Sequence, residues 1–175
     1  RRSGAIWESN STLLEAILNS LHQVVHTKCV VPDQPEALRR ALAELSNTCD
    51  VVVSTGGISA GDSDWIRALV NELGQVSFWK LFLKPGRPFA FGHIKCQDGT
   101  VPFFGLPGNP ISCAAGFRFF VYPLVRKSLG MPVEKNFKAK LNNSYSKVKN
   151  FSHFIRCFMK IDNKGLVKLE VLQGQ

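Results

Sequence analysis

The chain has 175 residues, of which 45% are hydrophobic and 20% are charged, which is enough for one well-packed core with a small appendage. This composition excludes a disordered or fibrous protein. An uninterrupted apolar run of about 18 residues does not occur and we recognise no signal peptide, so a membrane-spanning protein is not expected.

Hydrophobic periodicity predicts the elements in chain order. The predicted helices cover residues 8–21, with Ser9 or Asn10 as the cap, and then 32–46, 62–73 (ended by Gly74) and 109–130. The predicted strands are the apolar runs 23–31, 50–54, 75–85, 88–94 and 101–105, with "QDGT" as a turn before the last of them.

Strands that alternate with helices indicate an α/β fold, a mainly parallel sheet of three layers with helices on both faces. The apolar runs agree with this, because buried parallel strands are hydrophobic on both sides. After residue 131 the sequence pattern changes to short stretches in which hydrophobic and polar residues alternate, with "DNKG" as a hairpin turn. We therefore expect one domain at 1–131 and the beginning of a small β domain at 132–175.

The net charge of +9 is concentrated in the C-terminal part. Residues 126–168 hold 11 of the 22 Lys/Arg and 2 of the 13 Asp/Glu, so the remainder of the chain is neutral. Such a segment could attract nucleic acid or another anionic partner. The alternative is a solvated surface, because its lysines alternate with apolar residues as on a strand. Clustered aromatic platforms are lacking, so nucleic-acid binding is disfavoured.

The five cysteines lie at least 17 positions apart, which excludes a Cys-x-x-Cys motif and zinc-finger spacing. Most lie in apolar runs, where free cysteine packs as a small hydrophobic residue. Reduced thiols and a cytoplasmic protein are expected.

The first of three candidate ligand loops follows the strand "DVVVS". Gly56, Gly57 and Gly61 free the backbone there, and the helix start behind them adds unpaired N–H donors that suit a phosphate. The loop is neither a Walker loop nor a G-x-G-x-x-G motif. Asp62 and Asp64 would repel a bare phosphate, but they fit a Mg²⁺ ion between carboxylate and phosphate. Asp62 could instead simply cap the helix.

The other two loops also follow strands. In "LKPGRP", Lys84 and Arg87 flank a Pro-Gly turn, which suits an anion or is an ordinary basic turn. In "GLPGNPIS", Asn109 and Pro110 open a helix and Gly108 exposes backbone, although a well-capped helix explains this equally. Because ligands bind at the carboxyl edge of a parallel sheet, the three loops can share one phosphate-bearing ligand with a divalent metal.

The motifs "STGGISAGDSDW", "KPGRP" and "GLPGNPIS", in this order, closely resemble the molybdopterin molybdenumtransferase family, which includes the MoeA proteins and the C-terminal region of gephyrin. "AIWESN" and "VVPDQPEALRRAL" look like earlier segments of the same domain. The resemblance implies a MogA/MoaB-like molybdopterin-binding fold followed by the start of a C-terminal β-barrel domain. It also implies a homodimeric, Mg²⁺-dependent transferase that uses adenylated molybdopterin and molybdate and releases AMP.

The resemblance assigns roles to individual positions. Asp64 matches the acidic residue of the glycine loop and is expected to bind the metal or act in catalysis, with Asp62 and Glu8 as further carboxylates. The family more often has Asp at the position of Glu8, and Lys at that of Arg87. The residues implied to line the ligand are Ser54, Gly56, Gly57, Ser59, Gly61, Lys84, Gly86, Arg87, Pro107, Gly108, Asn109, Pro110 and Ser112.

Family members have a long N-terminal region and further barrel strands, so the chain resembles an internal fragment that lacks the first strand of its sheet. Two functions are therefore expected. One is the transferase activity, and the alternative is a non-catalytic unit that binds molybdopterin or another protein.

Overall fold

The computed structural model describes residues 7–58 and 65–172. The helices are α1 (Asn10–Ser20), α2 (Pro35–Thr48), α3 (Trp65–Leu73), α4 (Pro110–Gly116) and α5 (Tyr122–Ser128), with a π-helical segment at Phe117–Val121 between the last two. The strands are β1 (Val52–Thr55), β2 (Gly74–Trp79), β3 (Leu83–Lys84), β4 (Ala90–Cys96), β5 (Gly99–Leu106), β6 (Lys140–Leu141), β7 (Ser152–His153), β8 (Cys157–Ile161) and β9 (Val167–Val171). None of the helices in these ranges is long and apolar enough to cross a membrane.

The main sheet has the order β1-β5-β4-β2, and it is mixed rather than mainly parallel. β1 pairs with β5 in parallel, whereas β5 with β4 and β4 with β2 are antiparallel. The reason lies in the connections. The predicted "QDGT" turn joins β4 directly to β5, and so short a connection permits only antiparallel pairing.

Two predicted strands differ in the structure. Residues 23–31 are not a strand, because strand-forming side chains do not suffice alone and no backbone among the described residues pairs with this segment. This segment lies across a cavity of about 580 Å³ from β1, which is an edge strand of the described sheet. The predicted strand 75–85 is divided into β2 and β3, with Lys80 between them at a φ of 72°.

Helices cover both faces of the sheet, which confirms the three-layer α/β class. On one face, α2 and α3 pack through Leu42, Ile66, Leu69 and Val70. On the other face, α1 and the helical segments 110–128 pack through Leu14, Cys113, Phe117, Val121 and Val125. Neighbouring residues of β5 divide between the two cores, since Phe103 belongs to the first and Phe104 to the second.

The C-terminal unit, residues 132–172, contains a sheet of order β6-β9-β8. The predicted "DNKG" turn joins β8 to β9, where Asp162 Oδ1 accepts hydrogen bonds from the N–H groups of Lys164 and Leu166 at 2.9 and 3.0 Å. The described strands of this unit do not close into a barrel. β7 is not part of this sheet, and it pairs in parallel with β3 of the preceding part of the chain.

Candidate ligand site at the carboxyl ends of β1 and β5

The glycine loop begins where β1 ends. Gly56 and Gly57 have φ angles of 78° and 68°, a left-handed backbone that glycine adopts at no steric cost. The N–H of Gly56 donates to the Leu106 carbonyl at 3.0 Å, which attaches the loop to the end of β5. The predicted site residues Ser59, Gly61, Asp62 and Asp64 lie outside the described residues.

The Ser54 side chain stands at the end of β1. Its Oγ is buried and has no hydrogen-bond partner within 7–58 and 65–172. A buried hydroxyl without a partner is costly, and Ser54 is one of the residues that line the cavity beside β1.

The proline loop lies beside the glycine loop. A side chain at Gly108 would place its Cβ 3.6 Å from the Gly56 Cα, so the two loops are in contact. Asn109 caps α4 as predicted, with its Oδ1 accepting from the N–H groups of Ile111 and Ser112 at 3.1 and 3.2 Å. Pro107 is buried, whereas residues 108–110 face solvent.

The start of α1 reaches the same place. The buried Asn10 donates from Nδ2 to the Gly108 carbonyl at 2.9 Å, a bond between residues 98 positions apart. This corrects the predicted capping, since neither Ser9 nor Asn10 caps α1 with its side chain. Glu8 has that role, because its carboxylate accepts from both the hydroxyl and the N–H of Ser11.

The Glu8 carboxylate is held in its charged form. The hydrogen bonds from the hydroxyl and then the N–H of Ser11 lower the pKa of Glu8 below its ordinary value of 4.5. The Glu8 charge also acts on Cys113 in the core behind the site. The pKa of Cys113 is raised to about 11, mainly by burial and to a smaller extent by the negative charge of Glu8. Glu8 is therefore an anion beside the loops at neutral pH.

The basic turn packs against the helix that follows the proline loop. Gly86 is buried with a φ of 104°, and a Cβ there would lie 3.7 Å from the Ser112 carbonyl oxygen. Lys84 and Arg87 are exposed, and in the described parts of the chain neither forms an ion pair with a carboxylate. Two cations without a carboxylate partner among the described residues can serve an anionic ligand.

The structure therefore brings together the described predicted residues of all three loops and Glu8. The contacts run from Asn10 to Gly108, from Gly108 to Gly56, and from Gly86 to Ser112, and Glu8 stands two positions before Asn10. The residues that line the 580 Å³ cavity include Glu8, Ser54, Gly56 and Gly57, so open space adjoins the glycine loop. Sequence reasoning missed the role of Asn10, because a polar residue at a helix start is usually interpreted as a cap.

In ranges 7–58 and 65–172, no cluster of three or more His, Cys, Asp or Glu side chains could hold a metal ion. Glu8 is the described carboxylate at the loops, and its oxygens already accept from Ser11.

Comparisons with known proteins show the family of the chain. A family model described as a probable molybdopterin binding domain matches residues 1–127. The molybdopterin molybdenumtransferase of Haemophilus influenzae is 33% identical over 172 residues, which cover 97% of this chain and 42% of that protein. Gephyrin of Dictyostelium discoideum is 31% identical over 156 residues, which cover 77% of this chain and 22% of gephyrin.

Solved structures show the same similarity. A molybdopterin biosynthesis MoeA protein from Pyrococcus horikosii matches with a TM-score of 0.71 and 26% identity, covering 99% of this chain and 40% of that one. MoaB from Pyrococcus furiosus, titled a tungsten cofactor synthesizing protein, shares the fold at a TM-score of 0.53 and 21% identity over 73% of this chain. The chain thus spans about two fifths of the length of the transferase and MoeA proteins it matches.

Proposed function

Because this chain belongs to the family of probable molybdopterin binding domains, we propose that its three loops bind adenylated molybdopterin. We further propose that the protein of which it forms part inserts molybdate into that ligand with release of AMP. The observation that carries the proposal is the contact between the loops, since Asn10, Gly108 and Gly56 lie against one another at the carboxyl ends of β1 and β5. Separate accidental turns would not meet in this way.

The chemistry of the described residues fits a phosphate-bearing ligand. Gly56 and Gly57 offer a glycine backbone that can approach an oxyanion closely, and Lys84 and Arg87 supply positive charge. Fixed donors and cations of this kind stabilise charge that develops on a phosphate during transfer. The Ser54 hydroxyl adds a polar group to the cavity wall.

Mg²⁺ is the metal that suits this ligand. Phosphate oxygens and one or two carboxylates are its preferred ligands in proteins, and it neutralises charge on the phosphates. We assign its binding to Asp64, with Asp62 and Glu8 as further carboxylates. To bind Mg²⁺, the Glu8 carboxylate would have to use oxygens that also accept hydrogen bonds from Ser11.

Calorimetric titration of the chain with adenylated molybdopterin, with and without Mg²⁺, tests the proposal. We expect saturable binding that needs Mg²⁺ and is lost in Asp64→Ala. Asp98→Ala is the matched control, because Asp98 is an exposed carboxylate in the β4–β5 turn, at the amino end of β5 and therefore at the opposite end of that strand from the loops. Equal binding by wild type and Asp64→Ala would show that Asp64 is not part of the site. Absence of binding by a cooperatively folded chain would refute the proposal that the chain binds adenylated molybdopterin.

Turnover is a property of the longer protein and is tested there. AMP release that disappears in Asp64→Ala and persists in Asp98→Ala would support the transferase, which we propose acts as a homodimer. Ligand binding without AMP release would instead favour the non-catalytic alternative.

A further inference from the structure

The segment Phe151–Phe154 lies directly against the basic turn. In the β3–β7 pair, Leu83 is aligned with Ser152 and Lys84 with His153. The Ser152 N–H donates to the Phe82 carbonyl and the Phe154 N–H to the Lys84 carbonyl, both at 2.8 Å. The backbone that carries Lys84 is therefore held by residues of the C-terminal unit.

The aromatic side chains of the segment add contacts to both the basic turn and the helix behind the proline loop. The Arg87 guanidinium carbon lies 5.9 Å from the centre of the Phe151 ring, and Phe151 meets Phe82 edge to face at 5.6 Å. The Phe154 ring is stacked on Phe119 with centroids 3.5 Å apart and planes 13° from parallel. Phe119 belongs to the π-helical segment that continues the helix begun at Pro110.

We propose that Phe151–Phe154 is a positioning element that sets the distance between the basic turn and the proline-loop helix. The segment contacts both structures at once, and it comes from the part of the chain in which the positive charge is concentrated. An arginine whose guanidinium already rests on an aromatic ring has less freedom to lose when it binds an anion. Phe151 thus acts on the ligand through Arg87 and does not touch the ligand itself.

This inference rests on the proposed function, because it concerns the affinity of the same site. The perturbation is Phe151→Ala, which removes the ring below Arg87 and leaves the β3–β7 backbone bonds intact. We expect the affinity for adenylated molybdopterin to fall about two- to fivefold, the cost of ordering the freed Arg87 side chain on binding, with a fall in the thermal midpoint of no more than about 4 °C. Phe158→Ala is the control, since it removes a ring that is 60% exposed on β8 of the same unit and should leave affinity unchanged.

A double-mutant cycle separates positioning from general weakening of the structure. If Phe151 acts through Arg87, then Phe151→Ala should have no further effect in an Arg87→Ala background. An equal loss of affinity with and without Arg87 would overturn the inference.

A second measurement does not need the ligand. The Leu81 N–H donates to the Arg87 carbonyl at 3.0 Å across the basic turn, so its hydrogen exchange reports how well the turn is held. We expect faster exchange in Phe151→Ala than in Phe158→Ala, and equal exchange would refute the positioning role. If the wild-type chain does not bind the ligand, the proposed function fails, and this exchange experiment still decides whether the segment positions the turn.

Discussion

Asn10 is the residue whose substitution tests the geometry of the site most directly. It is 7% exposed, and its Nδ2 donates to the Gly108 carbonyl at 2.9 Å. Asn10→Asp keeps the size and shape of the side chain but replaces this donor with an oxygen. Two acceptors would then face each other, and the second carboxylate oxygen would have no donor among the described residues, since the Asn10 Oδ1 has none.

The two available substitutions differ in their expected cost. Asn10→Asp should lower the free energy of unfolding by about 3 kcal/mol at pH 7, because a buried unpaired charge costs at least that much. Asn10→Ala should cost about 1 kcal/mol, the net value of a hydrogen bond. It costs no more because the Asn10 Oδ1 is itself buried without a partner among the described residues, and its removal relieves that penalty.

Thermal and urea unfolding of the two variants provide the assay. A loss of about 3 kcal/mol corresponds to a fall in the thermal midpoint of about 6–12 °C for a chain of this size. The cost of Asn10→Asp should shrink in acid, because a protonated carboxyl can again donate to the Gly108 carbonyl. Asn19→Asp, at an exposed position of the same helix, should cost less than about 1 kcal/mol. An Asn10→Asp variant within about 0.5 kcal/mol of wild type at pH 7 would refute the hydrogen bond to Gly108.

Two further predictions concern ionisation. Cys113 is buried with a pKa raised to about 11, whereas Cys29 is exposed. Iodoacetamide at pH 8 should therefore modify Cys29 many times faster than Cys113. Comparable rates in a mass-spectrometric time course would contradict the buried position of Cys113. The pKa of Glu8 is lowered in the folded chain, so its stabilising effect is fully present above its ordinary pKa of 4.5 and is lost as the pH falls through the lower folded value. Glu8→Gln should therefore flatten the acid side of the stability profile, and a profile that stays parallel to that of wild type would show that Ser11 does not hold the carboxylate.

Local sequence patterns predicted the parts of the site that depend on neighbouring residues. The Asn109 cap, the "QDGT" and "DNKG" turns and the helices on both sheet faces follow from residue type and periodicity within a few positions. The fold class was predictable for the same reason, since periodicity indicates both amphipathic helices and apolar strands in the first unit. The mixed sheet was not predicted. The relative direction of two strands depends on the length of the connection between them, and the prediction from helices and strands in sequence order did not take that length into account.

Contacts between distant residues were decided by the tertiary structure. The bond from Asn10 to Gly108 spans 98 positions, and β7 pairs with β3 across a predicted domain boundary. The segment 23–31 has the composition of a strand, yet it has no neighbour to pair with in the described chain. The sequence by itself determined where the tight turns and the helix starts of these loops lie, because glycine, proline and capping residues act locally. Packing decided which backbone and side-chain groups hold those loops together, because hydrogen bonds and ring contacts of this kind need partners that only the folded chain brings within reach.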